Sequence, residues 1–111
     1  MWRGGLNKFG VAPRHERTLD GVVFDSKREM EVYSEFKVLK RCGEILDLEL
    51  QPRVLLIPKP NKIEYIPDFR VVWKNGNEEW IDVKGMETPE FKLKAKMFRH
   101  FYPTRKLVIM K

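Results

Sequence analysis

The chain has 111 residues, of which 42% are hydrophobic and 34% are charged, a composition typical of one globular domain with a modest core. Its longest aliphatic run, Val54 to Ile57, is far shorter than the roughly 20 residues of a membrane span, and no stretch of signal-peptide type begins it, so we expect no membrane contact. A single cysteine excludes an internal disulfide, which favours a cytoplasmic protein.

The formal net charge of +6 is carried by the last quarter of the chain. Residues 84–111 contain eight Lys or Arg and two Glu, a net of +6, whereas residues 1–83 balance fourteen basic against fourteen acidic residues. A basic end on a small domain indicates contact with phosphates, but a solvated, lysine-rich helix face gives the same bias. Charge alone leaves both interpretations open.

Residues 1–19 form the first predicted segment. They mix glycine, proline and basic residues with little periodicity, which predicts a poorly packed, basic N-terminal arm. Residues 20–111 are then expected to form a single domain.

A short strand and a helix follow the arm. Residues 21–25 can form the strand, and Ser26 with Glu29 three positions later makes a capping box that begins a helix ended by Gly43. Apolar side chains recur at helical spacing from Met30 to Leu39, and Glu29 falls inside their stripe. The capping box alone explains an acid at this position. The alternative is that Glu29 leans over the sheet and joins a functional site.

The second half of the chain predicts strands, a helix and a final strand. These elements are a strand at 44–57 broken at Pro52, hairpin strands at 63–73 and 78–84, a helix from Thr88 to about Phe101, and a strand at 106–110. The last strand should run parallel to residues 80–84, because a β-α-β crossover is right-handed. The predicted fold class is α/β (mixed α+β), a mixed central sheet flanked by helices in the order α-β-β-β-α-β.

Two registers are open for the hairpin around Asn75-Gly76. A two-residue type I′ turn places Asp68 and Asp82 on opposite faces, whereas a three-residue loop with Gly76 in a G1 bulge places them directly across from each other. The second register also gathers the apolar side chains on one face: Phe69, Val71, Trp73, Ile81 and Val83. Hydrophobic patterning therefore favours the bulged register.

Two carboxylates that face each other across a strand pair repel, so another group should offset the repulsion. A divalent cation such as Mg²⁺ or Mn²⁺ would do so with carboxylate oxygens as ligands. The alternative is that Arg70 and Lys84 neutralise Asp68 and Asp82 in a surface network. Glu29, as a third acid, favours the metal.

These residues also resemble a known family. Pro67-Asp68 followed by Asp82-x-Lys84, with Glu29 on the preceding helix, resembles the PD-(D/E)XK nuclease superfamily. The stretches DGVVFDSKREMEVY and YIPDF…IDVKG…TPEFKLKAKMF are similar to small phage-encoded nucleases of the endonuclease I type, which resolve Holliday junctions. The resemblance covers residues 18–111, with Asp82 where many members carry Glu. It implies a restriction-endonuclease-like core and a Mg²⁺-dependent endonuclease that hydrolyses phosphodiester bonds in branched DNA during phage DNA recombination.

The resemblance also implies a role for each residue. Asp68 and Asp82 would bind the metal directly, and Glu29 would bind it directly or through water. Lys84 would position or activate the attacking water and stabilise the negative charge that develops in the transition state. Gln51 would be an accessory polar residue near the metal.

Basic side chains in the arm and on the second helix are expected to contact the DNA backbone without reading its sequence. These residues are Arg3, Lys8, Arg14, Arg17, Lys92, Lys96 and Arg99. Two symmetric cuts in a four-way junction favour a homodimer. A catalytically silent DNA-binding module with the same fold is the alternative function, although binding alone gives no reason to keep repelling acids. The sequence leaves the choice among junction, flap and duplex open.

Overall fold

The computed structural model describes residues 11–111, and they form the mixed α and β structure that the sequence predicts. The chain divides into two compact units, one ending at Leu39 and the other running from Lys40 to Lys111. Arg3 and Lys8 lie outside the described residues. The elements are a 3-10 helix at Arg14–Arg17, β1 (Thr18–Leu19), β2 (Val22–Val23), α1 (Lys27–Arg41), β3 (Ile45–Leu50), β4 (Val54–Ile57), β5 (Ile63–Tyr65), β6 (Phe69–Trp73), β7 (Glu78–Val83), α2 (Pro89–Phe101) and β8 (Lys106–Met110).

The first unit contains more regular structure than the predicted arm suggests. β1 and β2 pair in antiparallel fashion around Asp20-Gly21, where both residues have positive φ, 53° and 77°. The Arg17 guanidinium donates through Nε to the Ala12 carbonyl at 2.9 Å and through Nη1 to the Phe24 carbonyl at 2.6 Å. Residues 14–19 are therefore folded, and the Arg17 side chain holds backbone of its own unit.

The first helix begins as its capping signal predicts. Ser26 Oγ accepts a hydrogen bond from the Glu29 amide at 3.0 Å, which satisfies one of the free amides at the helix start. The helix ends at Arg41, ahead of Gly43 with φ +85°. Glu29 is 2% exposed and is buried like Val32, so the helical wheel identified an acid on the buried face correctly.

The second unit contains a four-stranded sheet in the order β3-β6-β7-β8. β8 runs parallel to β7, as predicted for the β-α-β unit, and the other neighbours are antiparallel. A separate two-stranded sheet consists of β4 and β5.

Two of the predicted strands are wrong in extent. The strand predicted at 44–57 is divided at Gln51-Pro52, where Gln51 has φ +48°, and its halves belong to different sheets. The hairpin strand predicted at 63–73 is divided at Pro67, and only Phe69–Trp73 pairs with β7. A proline has no amide to donate to a strand ladder, which explains why the ladder does not continue through it.

The bulged register of the hairpin is confirmed. The Trp73 amide donates to the Asn77 carbonyl at 2.8 Å, and the Gly76 amide donates to the Trp73 carbonyl at 2.8 Å. Gly76 has φ +89°, and Phe69 pairs with Ile81. One further step of this register puts Asp68 opposite Asp82.

The face of the sheet that bears Trp80 and Asp82 is covered by α2. Thr88 caps this helix by accepting a hydrogen bond from the Phe91 amide at 3.1 Å, and Pro89 occupies the first turn, both as predicted. A buried cluster joins the helix to the sheets: Val54, Leu56, Tyr65, Trp80, Phe91, Ala95 and Phe98. Neither helix described between residues 11 and 111 has the length and apolar character to cross a membrane.

Candidate active site

Asp68 stands just ahead of β6 and is held from both sides. Its Oδ2 accepts a hydrogen bond from the Val83 amide of β7 at 2.7 Å, and its carbonyl accepts one from the Gln51 amide at 2.9 Å. A hydrogen bond to a charged acceptor is stronger than a neutral one. The β6–β7 pairing therefore fixes the Asp68 carboxylate, and Gln51 approaches Asp68 through its backbone.

Asp82 lies in the central strand β7 and is 1% exposed. Its Oδ2 accepts a hydrogen bond from the Tyr65 hydroxyl at 2.5 Å, and its Oδ1 lies 3.4 Å from Lys84 Nζ. Oδ1 is buried and accepts no hydrogen bond from any residue of the described chain. A buried charged oxygen needs a partner, so this atom is available to a cation.

Lys84 holds its ammonium beside Asp82 while remaining accessible. Its Nζ also lies 4.8 Å from the centre of the Phe91 ring, a distance at which a cation is attracted to the ring face. The Lys84 amide donates to the Met110 carbonyl at 2.8 Å, which anchors the backbone at the end of β7. The side chain is 33% exposed, so it can meet both Asp82 and a substrate.

Tyr65 is a site residue that the sequence reasoning missed. Burial and the hydrogen bond to Asp82 raise the pKa of its hydroxyl well above the ordinary value for tyrosine. The hydroxyl therefore stays protonated and donates to Asp82. The sequence carries no motif for this contact, because Tyr65 lies seventeen positions before Asp82 on a strand of the other sheet.

A cavity of about 320 Å³ opens beside Asp82 and Lys84. Its wall is completed by residues of β5, the turn after it and the first turns of α2: Glu64, Tyr65, Ile66, Thr88, Glu90, Phe91 and Lys94. Lys94 forms an ion pair with Glu90 at 3.4 Å. The cavity thus presents the Asp82 carboxylate together with two lysines to a ligand.

Arg70 does not belong to this site. Its guanidinium pairs with Glu78, with Asp47 at 3.1 Å and with Glu49 at 3.6 Å. The predicted alternative, in which Arg70 and Lys84 neutralise the two aspartates, therefore holds only for Lys84 and Asp82.

Glu29 belongs to the first unit and is buried there. Its carboxylate lies within 4.8 Å of the Asp25 carboxylate, so two acids meet at the start of α1. The sequence reasoning missed Asp25. The role of Glu29 as a third ligand stays a prediction.

The basic residues predicted on α2 lie together. Lys92, Lys96 and Arg99 line one cavity of about 400 Å³, whose other walls include Phe91, Ala95 and Ile109. We call this cavity the basic groove. Of the arm residues, Arg14 is exposed, whereas Arg17 is engaged with backbone carbonyls. Gln51 has an exposed side chain.

The donors in the second unit fit a hard divalent cation. Asp68 and Asp82 offer carboxylate oxygens from adjacent strands, and Asp82 Oδ1 is a buried acceptor without a donor. Mg²⁺ and Mn²⁺ prefer oxygen ligands and bind through one or two carboxylates plus water and phosphate. The residues therefore fit the metal that the resemblance implies.

Comparison with curated proteins gives no sequence match. A protein-family model described as "Protein of unknown function (DUF1064)" matches residues 14–111. The match spans both helices, all eight strands and the candidate site, and it begins at the folded Arg14. The chain therefore belongs to the DUF1064 family.

Proposed function

We propose that the protein is a metal-dependent endonuclease that hydrolyses phosphodiester bonds in DNA. The supporting observation is the environment of Asp82, a buried carboxylate with one oxygen that lacks a donor, 3.4 Å from an accessible lysine. Keeping such a group without a ligand would cost several kcal/mol in desolvation. A metal-binding role explains why the fold keeps it.

The chain's own residues would divide the work. Asp68 and Asp82 would hold a Mg²⁺ or Mn²⁺ ion, and Glu29 stays the predicted third ligand. When bound, such an ion lowers the pKa of a coordinated water and polarises a phosphate oxygen. Lys84 would orient the attacking water and place its positive charge where the phosphate gains negative charge, which stabilises the transition state.

The basic groove would hold the DNA backbone. Lys92, Lys96 and Arg99 present three positive charges along one cavity, and Phe91 borders both this groove and the cavity beside Asp82. Lysine and arginine bind phosphates without reading bases, so the expected recognition is of DNA shape rather than sequence. The preference for branched DNA, the homodimer and the cytoplasmic location stay predictions that rest on the resemblance and on symmetry.

The second candidate function is a catalytically silent DNA-binding module. The basic groove favours it, because the groove needs neither Asp68 nor Asp82. The two functions differ in what metal does. A silent module binds DNA equally with metal and with chelator, and it cuts no strand.

The test is cleavage of an end-labelled four-way junction and of a duplex of the same sequence, in Mg²⁺, in Mn²⁺ and in EDTA. We expect strand cuts only with metal, and none from the Asp68→Asn or Asp82→Asn variants. Asp47→Asn is the matched control, because Asp47 is 58% exposed on β3 and the same charge is removed outside the site. Absence of metal-dependent cutting of both DNAs by the wild-type protein would overturn the enzyme proposal.

A further inference from the structure

We infer that Tyr65 is a positioning residue, whose hydroxyl fixes the Asp82 carboxylate so that one defined oxygen, Oδ1, faces the metal. This inference rests on the proposed function. It concerns a contact between the two sheets of the second unit, since Tyr65 ends β5 and Asp82 lies in β7.

The contact is rigid on the tyrosine side. Tyr65 is 4% exposed, its ring centre lies 6.2 Å from that of Phe91, and it meets the Phe98 ring edge-on at 5.7 Å. A ring enclosed in this way cannot carry its hydroxyl to another acceptor without opening the core cluster. The position of the hydroxyl is therefore set by α2 and β5 together.

The contact is selective on the aspartate side. The Tyr65 hydroxyl donates to Oδ2 at 2.5 Å, and Oδ1 is left 3.4 Å from Lys84 Nζ. Rotation of the carboxylate would break the bond to Oδ2, so the bond selects one rotamer and presents Oδ1 outward. Without the hydroxyl, the carboxylate could turn toward the Lys84 ammonium and lose its orientation for a metal. Removing such a supporting hydrogen bond lowers metal affinity by about 10- to 100-fold in known metal sites.

The chain offers a matched pair of variants for the test. Tyr65→Phe removes the hydroxyl and keeps the ring. Tyr102→Phe does the same on the other side of Phe98, where the Tyr102 ring centre lies 5.7 Å from that of Phe98 and its hydroxyl donates to the Leu55 carbonyl instead of to Asp82. Each variant deletes one hydroxyl from the same aromatic cluster, and circular dichroism checks that both are folded.

The first measurement is Mn²⁺ binding to the DNA-free protein by calorimetry. We expect the Kd for Mn²⁺ to rise about tenfold or more in Tyr65→Phe and to stay at the wild-type value in Tyr102→Phe. In cleavage assays the Mn²⁺ concentration for half-maximal rate should rise by the same factor, while KM for DNA stays unchanged. A general loss of structure would change KM for DNA as well, which separates positioning from folding.

A spectroscopic measurement remains informative if Tyr65→Phe fails to fold. Mn²⁺ bound to Asp82 should perturb the near-ultraviolet absorption of the tyrosine bonded to it, and this difference signal should be absent in Asp82→Asn and present in Tyr102→Phe. Wild-type protein that binds Mn²⁺ and cuts DNA, with Tyr65→Phe equal to it or with no tyrosine signal, would overturn the positioning role alone. Wild-type protein that neither binds Mn²⁺ nor cuts DNA would overturn the proposed function and this inference with it.

Discussion

Replacing Asp82 by Asn should stabilise the metal-free protein, and adding metal should reverse the order of stability. The substitution keeps the shape of the side chain and removes a charge that is 1% exposed. The carbonyl oxygen of the new side-chain amide can still accept from Tyr65. The change therefore isolates the free energy of holding a carboxylate at this position.

The magnitude follows from the three interactions of the carboxylate. The Tyr65 hydrogen bond weakens by about 1 kcal/mol, because a bond to a charged acceptor contributes about 1.5–3 kcal/mol and a neutral one about 0.5–1.5. The Lys84 pair contributes at most about 1 kcal/mol, because that lysine is 33% exposed. The desolvation of the carboxylate, which the variant relieves, costs several kcal/mol. We therefore expect the free energy of unfolding to rise by about 1–2 kcal/mol in the metal-free variant, or roughly 4–8 °C in Tm for a domain of this size.

Metal should reverse this difference. At a concentration of about 100 Kd, a ligand that binds only the folded state adds about 2.7 kcal/mol to the wild-type protein and nothing to a variant that cannot bind it. Thermal unfolding in EDTA and in saturating Mn²⁺ measures both changes, with Asp47→Asn as the control for loss of an aspartate outside the site. The reasoning is refuted if Asp82→Asn is less stable than wild type in EDTA, because the carboxylate would then be a structural acceptor and not a ligand held at a cost.

Three further predictions concern the lysine, the groove and the assembly. Lys84→Ala should cut DNA at least about 100-fold more slowly while it binds Mn²⁺ with wild-type affinity, as expected of a group that acts on developing charge; Lys106→Ala, at an exposed end of β8, is its control, and weakened Mn²⁺ binding would contradict the role. Replacing Lys92, Lys96 and Arg99 by Ala should reduce the slope of log K against log salt for DNA binding by roughly one for each phosphate that is no longer neutralised, whereas Lys74→Ala should leave it unchanged. Light scattering at micromolar concentration should give the mass of a dimer, and a monomer that still makes both cuts in a junction would contradict the symmetry argument.

The features that the sequence predicted correctly depend on local signals. The two helices begin at Ser26 and Thr88, where a side-chain oxygen caps the free amides, and these bonds need only neighbouring residues. The hairpin register depends on Gly76, whose positive φ is accessible to glycine without strain. Asp68 and Asp82 could therefore be placed opposite each other from local patterns alone.

The features that the sequence missed depend on which face of the sheet is covered. The face with Phe69 and Val71 has the stronger apolar pattern, so the opposite face, with Asp82 and Lys84, was expected to be a charged patch. Trp80 lies on that second face too, and α2 packs over it. A strand with an apolar residue on each face can be buried from either side, and the alternation pattern cannot tell which. The burial of Asp82 was unpredictable for this reason.

The break at Pro67 explains how Tyr65 reaches Asp82 at all. Had one strand continued through residues 63–73 as predicted, side chains would have alternated along it, and Tyr65 would have shared the face of Phe69, opposite to that of Asp82. Pro67 interrupts the ladder, and β5 pairs with β4 instead, through Tyr65 opposite Val54. That departure brings the tyrosine to the side of the sheet where α2 packs, with its hydroxyl 2.5 Å from the Asp82 carboxylate. The proline that divides the predicted strand is therefore what allows the buried acid to have a donor.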